Sequence, residues 1–492
     1  MRKTVATSIM LAAIVTGCTV GPDYEGTDVT SPRDFRFQSD ETIGSVDVAW
    51  WNLFEDEALD DLIEEALRNN YDIRIAAGRV KEFAARVGIT RSAAFPQVDY
   101  NGTAQRDQAS QEFPGRGGPN DDRITDFFNA NLNVGWELDL WGRIRRATEA
   151  ARADLLNAEE TRRGVILTLV TAVATSYVAL RSLDEQLIIA ERTLESRAET
   201  LELFKLQLSK GVISQLEVAQ VQTEYERTAA RIPAIQRDIA KLENSLSVLL
   251  GRAPGPIDRG TSITELTLPP IPQGLPADLL RRRPDLRASE QSLIAANARV
   301  GQAMADFFPT VSLTGVFGAA SDDLSNIAMD SAGLYNIAAN VAGPIFTAGR
   351  LEGQLDAAEA IERQAFDQYV LSVLTAFREA EDSLVTRTTT QREIEAQTRQ
   401  VQALLTYSGL ARQKYDNGYV GYLEVLDAER DLFDAELDAI RLLASLHLSA
   451  IGIYKAFGGG WVIEAETTAD EAHAARRAAE EEGAADAGAS DD

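Results

Sequence analysis

Residues 129–140 read Asn-Ala-Asn-Leu-Asn-Val-Gly-Trp-Glu-Leu-Asp-Leu. Apolar side chains occupy every second position from Ala130 to Leu140, and Asn, Gly and acidic residues fill the positions between them. A period of two is typical of a β-strand with one apolar and one polar face. The stretch is long enough for a tilted membrane crossing of about 9–11 residues. A sheet that covers a soluble core would give the same alternation.

Three other segments, near 97–108, 310–319 and 335–345, repeat this alternation more weakly and are predicted to be strands. The segments 109–126 and 320–334 are rich in Gly, Asp, Asn and Ser, which predicts exposed loops. Aromatic residues cluster where the strands meet the helices, as in the girdles that mark a bilayer interface. These aromatic residues are Phe95, Trp141, Phe307, Phe308 and Phe346.

Long helical segments separate the predicted strand pairs. Residues 143–208 contain no Pro, and an apolar residue recurs every seven positions from Ile166 to Leu208. A sustained heptad indicates supercoiled helices, and about 66 helical residues would extend roughly 100 Å. That length predicts a rod or a tube. The helical segments 59–94 and 214–250 are each about half as long, so we expect them to stack end to end beside the long helix.

The chain is an internal duplication. Gly211 and Gly418 lie 207 residues apart, and each opens a similar turn. The two turns read Lys-Gly-Val-Ile-Ser-Gln-Leu-Glu-Val at 210–218 and Asn-Gly-Tyr-Val-Gly-Tyr-Leu-Glu-Val at 417–425. One constant offset that is shared by several motifs is specific evidence for a repeat.

Each repeat is predicted to contain a helix, a β-hairpin, a long helix, a tip turn and a returning helix. The first repeat covers residues 59–267 and the second covers 268–460. Two hairpins supply four strands, whereas single-chain outer-membrane barrels begin at about eight. Exposed sheet edges are not tolerated in lipid, so other copies of the chain must complete a membrane-spanning sheet. From the residues alone, two copies would give eight strands and three would give twelve.

The N-terminus has the features of an export signal. Arg2 and Lys3 precede a short apolar stretch, and small residues lead to Cys18, which is the only cysteine. This run resembles a bacterial lipobox, which implies that residues 1–17 are a lipoprotein signal peptide. The resemblance also implies that Cys18 carries a covalent diacylglycerol and an acyl chain; no other cofactor is expected. The alternative is a buried Cys beside an ordinary signal. Residues 18–58 are expected to form an extended, acylated linker.

Composition excludes several functions. The 76 acidic residues outnumber the 48 basic residues, and the net charge of −28 argues against nucleic-acid binding. With two His and one Cys, the sequence offers no His-rich metal site and no intramolecular disulfide. It also lacks a Gly-x-Ser-x-Gly or Walker-type motif, so we do not expect an enzyme. Residues 461–492 are strongly acidic and are expected to form a disordered tail.

A set of short motifs spread over about residues 18–460 carries a family resemblance. The motifs are Cys18, Val-Gly-Pro-Asp-Tyr at 20–24, Trp50-Trp51, Phe54, Leu-Trp-Gly-Arg at 140–143, Arg-Pro-Asp at 283–285, and Tyr422-Leu423 with Leu426-Asp427-Ala428. Together they resemble the TolC-like outer-membrane factors of tripartite efflux systems. The most similar subgroup is the NodT-type lipoproteins that work with resistance-nodulation-division (RND) pumps.

The resemblance implies a mainly α-helical fold with a transmembrane β-barrel. Such proteins are homotrimers in which a twelve-stranded outer-membrane barrel continues into a twelve-helix periplasmic coiled-coil tunnel. It implies passive multidrug export of molecules that a periplasmic adaptor (a membrane fusion protein) and an inner-membrane RND pump deliver. The chain would be lipid-anchored in the cell outer membrane, with a large periplasmic part. The alternative function is a lipid-anchored periplasmic coiled-coil adaptor or structural protein, which would not explain four amphipathic strands.

The same resemblance assigns a channel gate to the two tip turns. Leu423 matches an apolar constricting ring, Asp427 an acidic ring, and Glu424 a second acidic position. Glu217 is the counterpart of Glu424 in the first repeat, and Tyr415 matches a tyrosine of the closure network. The alternative is that Glu424 and Asp427 are solvated acids in the first turn of a helix, where the helix dipole favours them.

The resemblance also implies that the tip turns contact the adaptor. The candidate docking residues are Gly211, Val212, Ser214, Gly418, Tyr419 and Gly421. Some family members carry a basic residue at the position of Val420, so an Arg-based lock there is not expected in this chain.

Overall fold

A computed structural model describes residues 19–27, 29, 32–37, 49–108, 124–271, 281–458 and 461–489, the last of these without side chains beyond residue 476. The chain forms two compact units. The strand unit comprises Met1–Asp28, Arg79–Ala158 and Ala288–Val370. The helical unit comprises Val29–Gly78, Glu159–Arg287 and Leu371–Asp492.

The described residues are mainly helical with a few strands, which confirms the mainly α-helical part of the predicted fold class. The helices are α1 (Glu57–Asn69), α2 (Tyr71–Ser92), α3 (Arg143–Ser209), α4 (Gln215–Leu249), α5 (Pro284–Ala305), α6 (Arg350–Asp416), α7 (Tyr422–Phe457) and α8 (Trp461–Ala489). The strands are β1 (Gln97–Gln108), β2 (Ile124–Leu138), β3 (Thr310–Ser321) and β4 (Gly333–Ala342). The order helix, hairpin, long helix, turn, helix therefore occurs twice.

One predicted helix, 59–94, is divided into α1 and α2 at Asn70. The Asn70 side chain caps α2, because its Oδ1 accepts hydrogen bonds from the backbone N–H groups of Asp72 (2.7 Å) and Ile73 (3.2 Å). Its Nδ2 donates to the carbonyl of Leu249 at 2.8 Å. A side chain that satisfies the free N–H groups of a new helix favours a break there.

The four strands form one antiparallel sheet in the order β1-β2-β3-β4. Directly opposed residues share a face, and Leu132 lies between Tyr100 and Phe317 in this register. The alternation found in the sequence therefore continues across all four strands, except at one end of the β1–β2 pair, where Arg106 and Asp126 lie on the apolar side and Phe127 lies on the polar side. The apolar face carries Val98, Tyr100, Leu132, Val134, Trp136, Val311, Leu313, Phe317, Tyr335, Ile337 and Val341. The opposite face carries Asp99, Asn101, Thr103, Asn129, Asn131, Asn133, Glu137, Ser312, Thr314, Asn336 and Asn340.

The apolar face of the sheet lies open. Tyr100 is 89% exposed, Tyr335 79% and Ile337 71%. A soluble core would bury such side chains, and a contiguous exposed apolar surface marks an interaction with lipid or protein. The aromatic girdle is also ordered, since the Trp141 ring stacks on Phe308 at 4.9 Å and its Nε1 donates to the carbonyl of Pro309 at 2.7 Å.

The core of the helical unit is built around Trp50, Phe54, Tyr454 and Trp461, which are at most 1% exposed. The Trp50 ring stacks on Tyr454 at 5.6 Å and meets Trp461 edge to face at 6.1 Å. Residues 50–54 form a short 3-10 helix. The end of the predicted linker is therefore part of a packed core and not an extended tether.

The prediction that residues 461–492 are disordered is wrong for the described part, which forms α8. Its first turns bury Trp461, Val462, Ala465 and Ala469, which share one helix face. Ion pairs add to this packing, since Arg163 Nε lies 2.9 Å from Glu466 Oε2. The prediction failed because it rested on the acidic composition of the whole segment and not on the apolar residues of its first turns.

Two helices of the described chain, α3 and α7, each contain an 18-residue stretch that is apolar enough to cross a membrane. In both, 56% of that stretch is buried inside the protein. Their apolar composition therefore reflects helix packing.

Candidate functional site

The α3–α4 and α6–α7 turns, which we call the first and second tips, have the same backbone geometry. Gly211 (φ +71°) and Gly418 (φ +75°) both adopt the left-handed conformation that glycine accepts most readily. The N–H of Val212 donates to the carbonyl of Gln207 at 3.0 Å, and that of Tyr419 donates to Lys414 at 2.9 Å. Each tip is thus a Schellman motif, which ends the long helix at a fixed residue.

The returning helices begin differently. Ser214 caps α4 in a capping box, in which its backbone N–H donates to Glu217 Oε2 at 2.6 Å. Gly421 precedes α7 and offers no side-chain cap. The structure therefore gives Glu217 a local capping contact, while the predicted gating role of Glu217 remains a prediction.

An aromatic cluster packs beneath the second tip. Tyr422, the first residue of α7, is 3% exposed, and its ring lies 4.3 Å from Phe204 of α3. Tyr415 meets Tyr422 edge to face at 5.0 Å. The predicted closure residue Tyr415 thus contacts two aromatic residues that sequence reasoning did not select. Such pairs stabilise a contact by about 0.5–1.5 kcal/mol beyond area burial.

A group of ionic side chains lies next to this cluster. Arg412 Nη1 is 3.6 Å from Glu429 Oε1 and 3.5 Å from the Tyr422 hydroxyl oxygen. Burial raises the pKa of the Tyr422 hydroxyl to about 12, with a further contribution from the charge of Glu429. Burial also raises the pKa of Glu429, although the positive charges of Arg412 and Arg197 oppose this change.

Arg197 ties the two hairpins together below the tips. Its guanidinium is buried, and Nη1 donates to the backbone carbonyl of Glu224 (2.8 Å) on α4. The same guanidinium lies 5.4 Å from the centre of the Phe433 ring on α7. One α3 side chain therefore contacts both returning helices, and burial lowers its pKa.

The predicted gate residues of α7 lie on its outer side in a single chain. Leu423 is 56% exposed, whereas its neighbours Tyr422 and Val425 are buried. Glu424 is exposed, and Asp427 Oδ1 lies 3.1 Å from Arg430 Nη1. Leu423 and Asp427 are four residues apart, so they share a helix face. A second chain that packs against this face would meet an apolar residue and an ion pair.

The predicted docking residues lie at the extreme ends of the hairpins. Val212 is 69% exposed and Tyr419 is 81% exposed. Two exposed apolar side chains on turns are suited to contact with a partner. The docking role of these turns remains a prediction. Cys18, the predicted lipidation site, lies outside the described residues.

Sequence reasoning missed Phe204, Arg412 and Glu429, and it named Tyr422 only as part of a family motif. Tyr422 and Glu429 are separated by seven residues, the heptad spacing that places side chains on one face. Phe204 and Arg412 belong to different repeats, so no local pattern joins them. The one signal available in the sequence was an aromatic residue, Tyr422, directly after Gly421.

The comparisons with known proteins agree with this geometry. A family model described as outer membrane efflux protein matches residues 62–252 and 275–459. The chain is 35% identical over 457 residues to the solvent efflux pump outer membrane protein SrpC of Pseudomonas putida, across 91% of this chain and 96% of that protein. It is 35% identical to the cation efflux system protein CusC of Escherichia coli O6:H1, across 92% and 97%. It is 32% identical to the probable outer membrane lipoprotein SilC of Salmonella typhimurium, across 94% and 100%.

Solved structures resemble the whole architecture. A crystal structure of CusC superimposes with a TM-score of 0.80 at 33% identity and covers 90% of this chain and 100% of that chain. The open state of the Neisseria gonorrhoeae MtrE outer membrane channel gives a TM-score of 0.81 at 28% identity, over 90% and 98%. The architecture described above is thus similar to that of solved efflux channels. This chain belongs to the outer membrane efflux protein family.

Proposed function

We propose that this outer-membrane efflux protein is the passive exit duct of a tripartite system and works as a homotrimer. A periplasmic adaptor and an inner-membrane RND pump deliver small molecules to it. The observation that carries the proposal is the four-stranded sheet, which has a continuous exposed apolar face and a polar opposite face. An apolar outer face against lipid and a polar face around water are what a transmembrane channel needs.

The need for several copies comes from the edges of the sheet. Among the described residues, β1 and β4 each pair on one side only. Unpaired N–H and C=O groups are not tolerated in lipid, so these edges must pair with other copies. Three copies would supply twelve strands, which is the number that the family resemblance favours over eight.

The tips supply the proposed gate and the docking surface. Leu423 and Asp427 from three chains would converge on the pore axis and form an apolar ring and an acidic ring, with Glu424 and Tyr415 beside them. Charged rings select ions and apolar constrictions exclude water. The exposed residues Val212 and Tyr419 would meet the adaptor.

The choice of cargo is assigned to the pump. Two relatives with the same 35% identity are named for solvent efflux and for cation efflux. A duct that serves such different chemistry needs no substrate pocket. Cys18 carries the proposed lipid anchor, and we expect Cys18→Ser to abolish labelling by a radioactive fatty acid.

The test combines mass and conductance. The detergent-purified protein should have the mass of three copies, and it should form channels in planar bilayers. Leu423→Ala with Asp427→Ala should raise the conductance. The matched control is Leu216→Ala with Gln220→Ala at the equivalent positions of the first repeat, which should leave it unchanged.

A monomer that dissolves without detergent would contradict the duct and would favour a lipid-anchored adaptor. Equal conductance changes in the two double variants would contradict the gate alone.

A further inference from the structure

The segment Thr19–Asp23, which directly follows Cys18, is held against α3 by a set of hydrogen bonds. The N–H of Val20 donates to the carbonyl of Trp141 at 3.0 Å. Arg146 donates from Nε to the carbonyl of Val20 (3.2 Å) and from Nη2 to the carbonyl of Gly21 (3.1 Å). Arg146 Nη2 also lies 2.7 Å from Asp23 Oδ1.

Arg146 is the centre of this contact and is almost completely buried. Only 3% of its side chain is exposed, whereas the side chain of its partner Asp23 is 85% exposed. The remaining nitrogen, Nη1, donates to Glu149 Oε2 at 2.9 Å. A buried guanidinium is costly unless its donors are paired. The carbonyls of residues 20 and 21 therefore complete a site that the rest of the strand unit leaves unfinished.

Three glycines allow the segment to approach so closely. A Cβ at Gly21, which has φ +100°, would lie 2.3 Å from Gly301 Cα. A Cβ at Gly301 would lie 2.9 Å from Arg146 Nε, and one at Gly142 would lie 2.7 Å from Thr19 Cγ2. At these three positions any other residue would place a Cβ atom in the space that the slot needs.

The slot lies at the aromatic girdle. Trp141, which accepts the hydrogen bond from Val20, stacks on Phe308 at the ends of the strands. The segment continues along α5, where the Tyr24 hydroxyl donates to Glu290 Oε1 at 3.3 Å. Cys18 is the covalent neighbour of Thr19, and consecutive Cα atoms are about 3.8 Å apart. A fixed Thr19 therefore limits where groups attached to Cys18 can reach.

We infer that Arg146 and the slot between Gly142 and Gly301 form a binding site for the chain's own processed N-terminal segment. This site fixes the point at which the lipid on Cys18 enters the membrane, beside Trp141 and Phe308. The inference rests on the proposed lipidation and outer-membrane placement. A free linker would let the acyl chains insert anywhere within its reach, whereas a docked one confines them to the girdle.

The first test measures docking by hydrogen exchange of the Val20 amide in the detergent-purified oligomer. The parent amide should be protected, and Gly21→Ala should reduce its protection at least about tenfold, because the added methyl group meets Gly301. Gly26→Ala is the matched control, since Gly26 also has a positive φ (+89°) but a Cβ there would meet nothing within 4 Å. Arg146→Ala should act like Gly21→Ala.

A second control separates the clamp from the neighbouring charge. Arg145 directly precedes Arg146, and its Nε lies 3.3 Å from Asp139 Oδ2. Arg145→Ala should leave the Val20 amide protected. Cys18→Ser should also leave it protected, because the site consists of protein groups. An unprotected Val20 in the parent, equal effects of the two glycine variants, or loss of protection in Cys18→Ser would each overturn the inference.

The second test locates the lipid. Cells fed a diazirine fatty acid should, on irradiation, cross-link the Cys18 acyl chain to peptides that contain Trp141 or Phe308. Gly21→Ala should spread these cross-links over other peptides, and Gly26→Ala should not. The same spread pattern in the parent would overturn the inference. Conductance of the same preparations tests the duct separately, because undocking should leave the pore intact.

Discussion

His447 should make the helical unit sensitive to acid. This residue of α7 is 2% exposed, and its ring lies 5.8 Å from that of Phe54. Its Nδ1 has no hydrogen-bond partner in the part of the chain that the structure describes. Nearby Arg387 is also buried and donates to the carbonyl of Leu446 at 3.4 Å. Burial first, and then the positive charge of Arg387, lower the pKa of His447 to about 4.

The magnitude follows from linkage between protonation and folding. The unfolded chain binds the proton near pH 6.5, whereas the folded chain resists it until about pH 4. A lowered pKa of a base means that the stabilisation is complete above pH 6.5 and is lost as the pH falls toward 4. The full difference is about 3 kcal/mol per chain, and about 2 kcal/mol of it is lost by pH 5.

Hydrogen exchange of the α7 amides around His447 can measure this loss, because a ratio between two variants at one pH cancels the intrinsic pH dependence of exchange. The ratio of parent to His447→Leu protection should fall about 30-fold between pH 8 and pH 5. Arg387→Leu should reduce the fall, since one cause of the lowered pKa is removed. Parallel pH profiles for the parent and His447→Leu would refute the reasoning.

Three other sets of substitutions test the core packing of α8, the second tip and the sheet. Trp461→Ala should lower the stability of the helical unit by about 3–5 kcal/mol, measured by thermal unfolding, because Trp461 is fully buried; an unchanged midpoint would mean that α8 is not part of the core. Tyr422→Ala should lower the free energy of opening for the tip amides, measured by hydrogen exchange, by about 3–5 kcal/mol, whereas Tyr422→Phe, which loses the hydroxyl contacts with Arg412 and Thr200, should lower it by about 1 kcal/mol. Leu132→Lys on the apolar face should cost about 2–4 kcal/mol and reduce the amount of heat-resistant oligomer in membranes, while the adjacent Asn133→Lys on the polar face should be tolerated.

The sheet could be predicted from the sequence because its signal is local. The alternation from Ala130 to Leu138 assigns each side chain to a face, and the observed register places Leu132 and Trp136 on the apolar one. Strand β2 begins at Ile124, earlier than predicted, because Asp126 on the apolar side and Phe127 on the polar side interrupt the polarity pattern while the backbone pairing continues. The first long helix was predicted to end at residue 208 and ends at Ser209, because Gly211 adopts the left-handed conformation that terminates it.

Features that depend on contacts between distant residues could not be predicted. Helix α8 is stabilised by Trp461, which packs on Trp50 and Trp51 more than 400 positions earlier. The acidic composition of residues 461–492, taken as an average, gives no sign of the contribution of Trp461. The slot for residues 19–23 could not be predicted either, because Arg146 and Gly301 are far from Gly21 in the sequence and contact it only in the folded chain.

The duplication allows the two tips to be compared position by position, and they differ in their side-chain contacts. Both keep the Schellman glycine and the acidic residue at Glu217 or Glu424, so the turn itself was retained. The aromatic and ionic groups were not, because the positions equivalent to Tyr415, Tyr422 and Glu429 in the first repeat are Leu208, Gln215 and Gln222. The second hairpin therefore depends on contacts that charge or substitution can disrupt, while the first depends on a local capping box. The same groups also join the second tip to the first hairpin, since the Tyr422 ring lies 4.3 Å from Phe204 of α3, so a change at Tyr422 tests the contact between the two hairpins.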